Sequence, residues 1–204
     1  MKGTFITFEG SEGCGKSTHS ALLFNYLKNK GFRVTYIREP GGTLVSEKIR
    51  RILLDPKNKS MSAECETLLY MSARAQIVRE IISPALSKGM IVISDRFLDS
   101  TVVYQGYGLG VDIQTIKNIG RFATSGIKPD LTLFLDLPTR EGLRKCGRIK
   151  DRIELRSLNY HQRVRCGYLE LARLHPKRIK VVEVHHSKAI TQDKIRKLVL
   201  ELIA

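Results

Sequence analysis

The run from Gly10 to Thr18, reading GSEGCGKST, constrains this chain more than any other stretch. It fits G-x-x-x-x-G-K-[ST], with Gly10, Gly15, Lys16 and Ser17 at the fixed positions. Before it, Thr4 to Phe8 is β-branched and aromatic and reads as a strand; after it, His19 to Lys30 suits an amphipathic helix. A strand that turns tightly into a helix leaves backbone N–H groups aimed into one concavity, and glycines let the chain close around whatever lies there. The helix N-terminus adds its positive dipole end. The stretch Gly10, Ser11, Glu12, Gly13, Cys14, Gly15, Lys16, Ser17 and Thr18 therefore reads as a cradle for a nucleoside triphosphate. Lys16 is the group expected to reach the β and γ oxygens, and Ser17 is expected to ligate Mg²⁺. The bland alternative is a glycine-rich turn, which the strand and helix on either side disfavour.

Five apolar, β-rich runs recur between helical stretches: Thr4 to Phe8, Arg33 to Ile37, Met90 to Ser94, Leu131 to Leu137, and Ile179 to Val184. That rhythm predicts an α/β fold with a parallel sheet and helices on both faces. The first helix is expected to end at Gly31, and helical patterns cover Val45 to Leu54 and Ser62 to Leu86. The last helix carries Ile195, Leu198, Val199 and Leu202 as an apolar stripe. At 204 residues the chain suits one domain.

In such sheets ligands bind outside the carboxyl ends of the strands. Arg38-Glu39-Pro40-Gly41-Gly42-Thr43 follows the second strand there, a tight loop preceded by two charged groups. Ile91 to Ser94 runs into Asp95-Arg96. A strand-terminal aspartate can hold Mg²⁺ directly or through water, and an arginine beside it can meet a phosphate. Tyr70 and Arg74 are four apart on one helical face, able to stack on a base and bond its edge, although such pairs are usually packed surface contacts. Asp99-Ser100-Thr101 resembles a helix start, with Tyr104 and Gln105 a turn later.

Together GSEGCGKST, Arg38 to Thr43 (REPGGT), Tyr70 to Gln76 (YMSARAQ), Asp95 to Gly106 (DRFLDSTVVYQG) and Pro129 to Leu137 (PDLTLFLDL) resemble the bacterial thymidylate kinases, in the family's order and over nearly the whole chain. The resemblance implies a P-loop NTPase fold with a five-stranded parallel sheet and a short lid at about 146–154. It implies transfer of the γ-phosphoryl group of ATP to dTMP, giving dTDP, with Mg²⁺ as cofactor, in a cytoplasmic homodimer. By motif position Lys16 and Arg96 are the fixed catalytic cations, and Ser17 and Asp95 the metal side. Arg96 resembles the arginine that grips the dTMP phosphate, with Arg38 a second basic contact. Tyr70 stands where a phenylalanine usually stacks on thymine, and Arg74 matches the arginine that bonds the base. Ser100, Thr101 and Gln105 fall on the dTMP side, Tyr104 below the deoxyribose, and Glu12 beside the sugar hydroxyl or the metal. One branch of the family carries a basic residue inside the phosphate loop. Gly13 and Cys14 occupy that stretch here, so the missing cation is expected from the lid, where Arg152 is favoured over Arg148.

The chain departs from the family's pattern twice. Tyr160-His161-Gln162 precedes Arg163-Val164-Arg165 where a phenylalanine pair is usual, and Val184-His185-His186-Ser187 replaces an aspartate-alanine step beside the adenine.

Charge is the compositional outlier. The formal net charge is +15, and residues 139–204 supply +10 of it, with 17 Lys/Arg against 7 Asp/Glu. Such a field attracts nucleic acid or steers polyanionic nucleotides into a cleft. With no recognisable nucleic-acid module, specific nucleic-acid binding is not expected. The absence of an N-K-x-D sequence disfavours a guanine-nucleotide switch. Cys14, Cys65, Cys146 and Cys166 form no C-x-x-C pair and read as reduced cytosolic thiols. His185 and His186 are adjacent, not at metal-ligand spacing, and read as exposed loop residues. No apolar run has transmembrane length.

Overall fold

The computed structural model describes residues 3–147 and 150–203. Five strands form one parallel sheet: β1 (Thr4–Glu9), β2 (Val34–Arg38), β3 (Ile91–Asp95), β4 (Leu131–Asp136) and β5 (Ile179–Glu183). Their spatial order is β2-β3-β1-β4-β5, with β1 paired to β3 through Phe8↔Asp95 and to β4 through Glu9↔Phe134. The crossover direction reverses at β1, which puts the crevice favoured by ligands beside the loop that follows it. Each strand ends on a charged residue, Glu9, Arg38, Asp95, Asp136 and Glu183.

Alternation along the strands feeds two apolar layers. Ile6, Phe8, Ile91, Ile93, Leu133 and Leu135 pack with Leu23 and Leu27 of α1 (Lys16–Asn29) and Ile195 and Val199 of α9 (Lys188–Ile203). On the other face Phe5 and Val92 pack with Ile77 and Phe97, while Phe134 packs with Val164, Tyr168 and Leu171 of α8 (Leu158–Leu174). Phe134 and Tyr168 stack at 5.0 Å between ring centroids. Thr7 and Thr132, both buried in the sheet, satisfy each other with a 2.9 Å hydroxyl contact.

The second helix, α2 (Leu44–Leu54), starts at Thr43, whose hydroxyl caps the Ser46 N–H. The helical stretch expected over Ser62 to Leu86 is interrupted. It consists of α3 (Ala63–Ile77), a π-helical turn at Val78–Ile82, and α4 (Ser83–Ser87). Pro84, the second residue of α4, lacks an N–H and crowds the carbonyl four residues back, and the widened turn precedes it. A similar π turn, Val102–Tyr107, follows α5 (Leu98–Thr101) and carries Tyr104 and Gln105. The remaining helices are α6 (Ile113–Ala123) and α7 (Thr139–Lys145). α1 begins at Lys16, so the lysine itself sits in the first turn.

Candidate active site

The carboxyl ends of β1, β2 and β3 open into one cavity of about 790 Å³. Glu12 to Thr18 form one wall, and Arg38, Tyr70, Arg96, Ser100, Thr101, Tyr104 and Gln105 lie across from it. In the loop, Lys16 is almost buried and its Nζ donates to the Ser11 carbonyl at 2.7 Å. The lysine is thereby folded over the concavity. The Ser17 hydroxyl donates to Asp95 Oδ2 at 2.5 Å, so the two expected metal-side oxygens converge. Two hard oxygen donors suit Mg²⁺, which keeps most of its shell for phosphate and water. Among the described residues no cluster of three His, Cys, Asp or Glu side chains could hold a metal alone, so phosphate oxygens would have to complete such a shell.

The loop also has a backing. A Cβ on Gly13, whose φ is +69°, would overlap the Gly142 carbonyl, and a Cβ on Gly142 would overlap the Glu12 carbonyl oxygen. Helix α7 therefore rests on the phosphate loop backbone to backbone. This is the physical reason that no basic side chain can stand at position 13. Cys14 is buried too, against Lys16 Nζ at 3.6 Å.

Arg96 joins the two walls. Its Nη2 donates to Glu12 Oε1 at 2.8 Å, its Nη1 reaches the Gly10 carbonyl at 3.2 Å, and its guanidinium lies 4.9 Å from the Tyr104 ring centroid. The backbone of Arg96 sits at φ +76°, a conformation that costs energy for a residue with a side chain and is common at functional sites. Tyr104 OH donates to the same Glu12 oxygen at 2.7 Å. Burial alone would raise the Glu12 carboxyl. The Arg96 and Lys16 cations and the Tyr104 hydroxyl outweigh it and bring the pKa down to about 2. Glu12 is thus a fixed anion between two cations.

Two of the expected cations, Arg74 and Arg152, are not on the cavity wall. Arg74 is 2% exposed and lies behind it. Its Nε donates to Glu39 at 2.8 Å, Nη1 to the Thr101 hydroxyl at 2.9 Å and Nη2 to the Phe97 carbonyl at 3.0 Å. The guanidinium is consumed in holding the wall residue Thr101. Arg152 is turned away as well. Its Nη1 lies 2.6 Å from Glu66 Oε2 and its Nε donates to the Leu53 carbonyl at 2.8 Å. Arg148, the other lid candidate, lies outside the described residues. Gly10 and Ser11 contribute their carbonyls to Arg96 and Lys16 behind the lining.

Arg50 on the wall and Glu9 behind it escaped the sequence reading. Arg50 of α2 lines the cavity and donates to the Pro40 carbonyl at 2.7 Å; its only signal was a basic residue in a helical pattern. Burial, then the nearby Arg38, lowers its pKa from the usual arginine value. Glu9, fully buried at the end of β1, accepts from the Phe97 N–H at 2.8 Å, the Ser100 hydroxyl at 2.5 Å and Tyr168 OH at 2.8 Å. Burial, reinforced by Asp99, pushes it up to about 7. Its strand-terminal position was the available clue. Val184, His185, His186 and Lys188 bound the far end of the cavity beside Thr18 and His19. His186 is exposed as expected, whereas His185 is half-buried.

The family model described as "Thymidylate kinase" matches residues 8–195. A thymidylate kinase of Geotalea daltonii is 48% identical over 190 residues, covering 89% of each chain. One of Symbiobacterium thermophilum is 47% identical over 200 residues, covering 98% of this chain and 94% of the other. A crystal structure of thymidylate kinase from Ehrlichia chaffeensis superposes with a TM-score of 0.81 at 30% identity, covering 98% of this chain and 100% of that one.

Proposed function

The chain belongs to the thymidylate kinase family, phosphotransferases that phosphorylate dTMP to dTDP with ATP, and on that premise we propose how its cleft divides between the two substrates. The supporting observation is the Glu12–Arg96 pair, which joins a phosphate loop to an arginine-rich pocket inside one cavity. The donor phosphates lie on Gly10 to Thr18 under Lys16. The dTMP phosphate meets Arg96 and Arg38, its sugar stands over Tyr104 beside Glu12, and its base faces Tyr70, Ser100, Thr101 and Gln105, with Arg74 acting through Thr101.

The attacking group is already an anionic phosphate oxygen, so the reaction needs no general base. What it needs is alignment of two polyanions and fixed cations around the transferring group. Arg96 holds the acceptor oxygen and Lys16 the donor. Ser17 and Asp95 are the residues that would hold Mg²⁺, which when bound neutralises charge on the donor phosphates. The remaining cation falls to the segment 146–154, since position 13 cannot carry one.

The proposal extends to one kinase domain over 1–204, acting in the cytoplasm as a homodimer. All four cysteines are free. No described helix is long and apolar enough to cross a membrane. Leu44, Leu68 and Phe122, on α2, α3 and α6, are 86%, 52% and 87% exposed, an apolar set that a second copy would cover.

The test is a coupled assay of the purified chain with ATP, Mg²⁺ and a panel of nucleoside monophosphates. The expected result is dTDP formation that stops on chelation and returns with added Mg²⁺. Turnover of another monophosphate in preference to dTMP would sink the acceptor assignment.

A further inference from the structure

Glu66, in the first turn of α3, is fully buried, and nothing in the phosphoryl-transfer scheme uses it. A buried carboxylate persists only where it is paired and hydrogen-bonded. Here it has three partners from two parts of the chain. Gln105 Nε2, from the cavity wall, donates to Oε1 at 2.7 Å. Arg152 Nη1 and Arg156 Nη2 both approach Oε2 at 2.6 Å. Glu66 also lies one helical turn before Tyr70, another wall residue, so its backbone and its side chain both belong to the acceptor side.

The two arginines belong to a segment that lines the same cavity. Asp151, Ile153 and Glu154 are all wall residues. The Asp151 carboxylate accepts from the N–H groups of Ile153 and Glu154, at 2.8 and 2.9 Å, and makes the segment a compact turn. The Arg152 N–H donates to the Leu54 carbonyl at 3.1 Å, a second tie to the acceptor side through α2. Yet Arg152 Nη2 is buried with no partner, so this arrangement leaves one donor unmet. A buried unmet donor costs free energy, which leaves a margin for the cluster to readjust when substrate occupies the wall.

We propose that Glu66 is a positioning residue that ties the segment 151–156 to the acceptor wall, so that filling the acceptor site and seating that segment over the donor are energetically coupled. The inference rests on the acceptor assignment above. Gln105 reports the state of the wall and the arginines report the segment, with one carboxylate between them.

Glu66→Gln is the discriminating substitution, because an amide oxygen still accepts from Gln105 while the charge that holds both arginines is gone. The readouts are kcat, KM for dTMP and ATP, melting temperature, and the dissociation constant of dTMP with and without a non-hydrolysable ATP analogue. In the wild type the analogue should tighten dTMP binding by about fivefold or more, within the usual range of coupling between sites. In Glu66→Gln that tightening should fall to less than about twofold and kcat should drop about tenfold or more, while dTMP binding without the analogue stays within about twofold. Should Glu66→Gln fail to fold, Arg156→Gln cuts one of the same ties from the surface side and should lose part of the coupling. A variant with lowered melting temperature but intact coupling and kcat would make Glu66 purely structural and overturn the proposal, as would a wild type without coupling. A wild type inactive on dTMP would overturn the acceptor assignment itself, and the inference with it.

Discussion

Arg96 and Glu12 form an ion pair at 2.8 Å across the junction between the end of β3 and the phosphate loop. Each is only about one-sixth exposed, so the pair is shielded from water without being cut off from a ligand. Glu12 also takes the Tyr104 hydroxyl, which leaves the arginine's planar fork oriented across the cleft. The geometry fixes a cation and an anion where donor and acceptor phosphates must approach each other.

Arg96→Lys keeps the charge and loses the fork, so it tests orientation rather than electrostatics. Its kcat/KM for dTMP should fall on the order of 10²-fold, a loss comparable to removing one aligned donor to a transition state. Melting temperature should change little, because a lysine still neutralises Glu12. Steady-state kinetics with varied dTMP decide it, and an unchanged kcat/KM would refute the role.

Gly142→Ala forces a methyl group into the Glu12 carbonyl oxygen. Backbone cannot give way as a flexible side chain can, so α7 and the phosphate loop must separate. Overpacking of this kind costs about 1–3 kcal/mol of stability. A displacement near 1 Å at the loop can lower kcat on the order of 10²-fold. Parallel measurements of chemical denaturation and ATP kinetics check both, and normal kcat would show that the loop tolerates the shift.

Arg74→Ala removes four contacts made by a guanidinium that is 2% exposed and leaves Glu39 buried without its partner. Stripping one member from a buried pair typically costs about 3–5 kcal/mol, so the urea midpoint should fall markedly. KM for dTMP should rise as well, because Thr101 loses its anchor. A rise in KM without loss of stability would mean that the arginine contacts the base directly and not through Thr101.

The contrast between Arg96 and Arg74 shows what the sequence could convey. Strand periodicity, strand-terminal charges and the glycine-lysine-serine spacing are local, and they located all five strands, the phosphate loop and the wall residues Arg38, Asp95 and Arg96, while the roles of Thr101, Tyr104 and Gln105 came from the family resemblance. Which way an arginine points is not local. Arg74 shares a helical face with Tyr70, but Glu39 from another loop pulls its guanidinium behind the wall. Arg152 is likewise captured by Glu66, 86 positions earlier in the chain. Arg50 and Tyr168 were hidden because nothing adjacent marks them, and the helix interruption at Val78 was hidden because π turns leave apolar spacing nearly intact.

Glu9 gives the pH prediction, and its sign follows from the direction of the shift. Burial and Asp99 raise the carboxyl from about 4.5 to about 7 in the folded chain, with the Ser100 and Tyr168 hydroxyls and Arg96 partly opposing them. Folding therefore favours the protonated form. Between those two values the folded state holds more of the proton than the unfolded state, so stability from this group is complete below pH 4.5 and is lost as pH rises through 7. Glu9→Gln replaces the carboxyl with a neutral group of the same shape and should remove that loss. Denaturation of wild type and variant at pH 5 and pH 8 isolates the effect, because other titrating groups cancel in the difference. The variant should gain stability relative to the wild type at the higher pH, and a difference independent of pH would mean that Glu9 ionises in the folded chain as readily as in water.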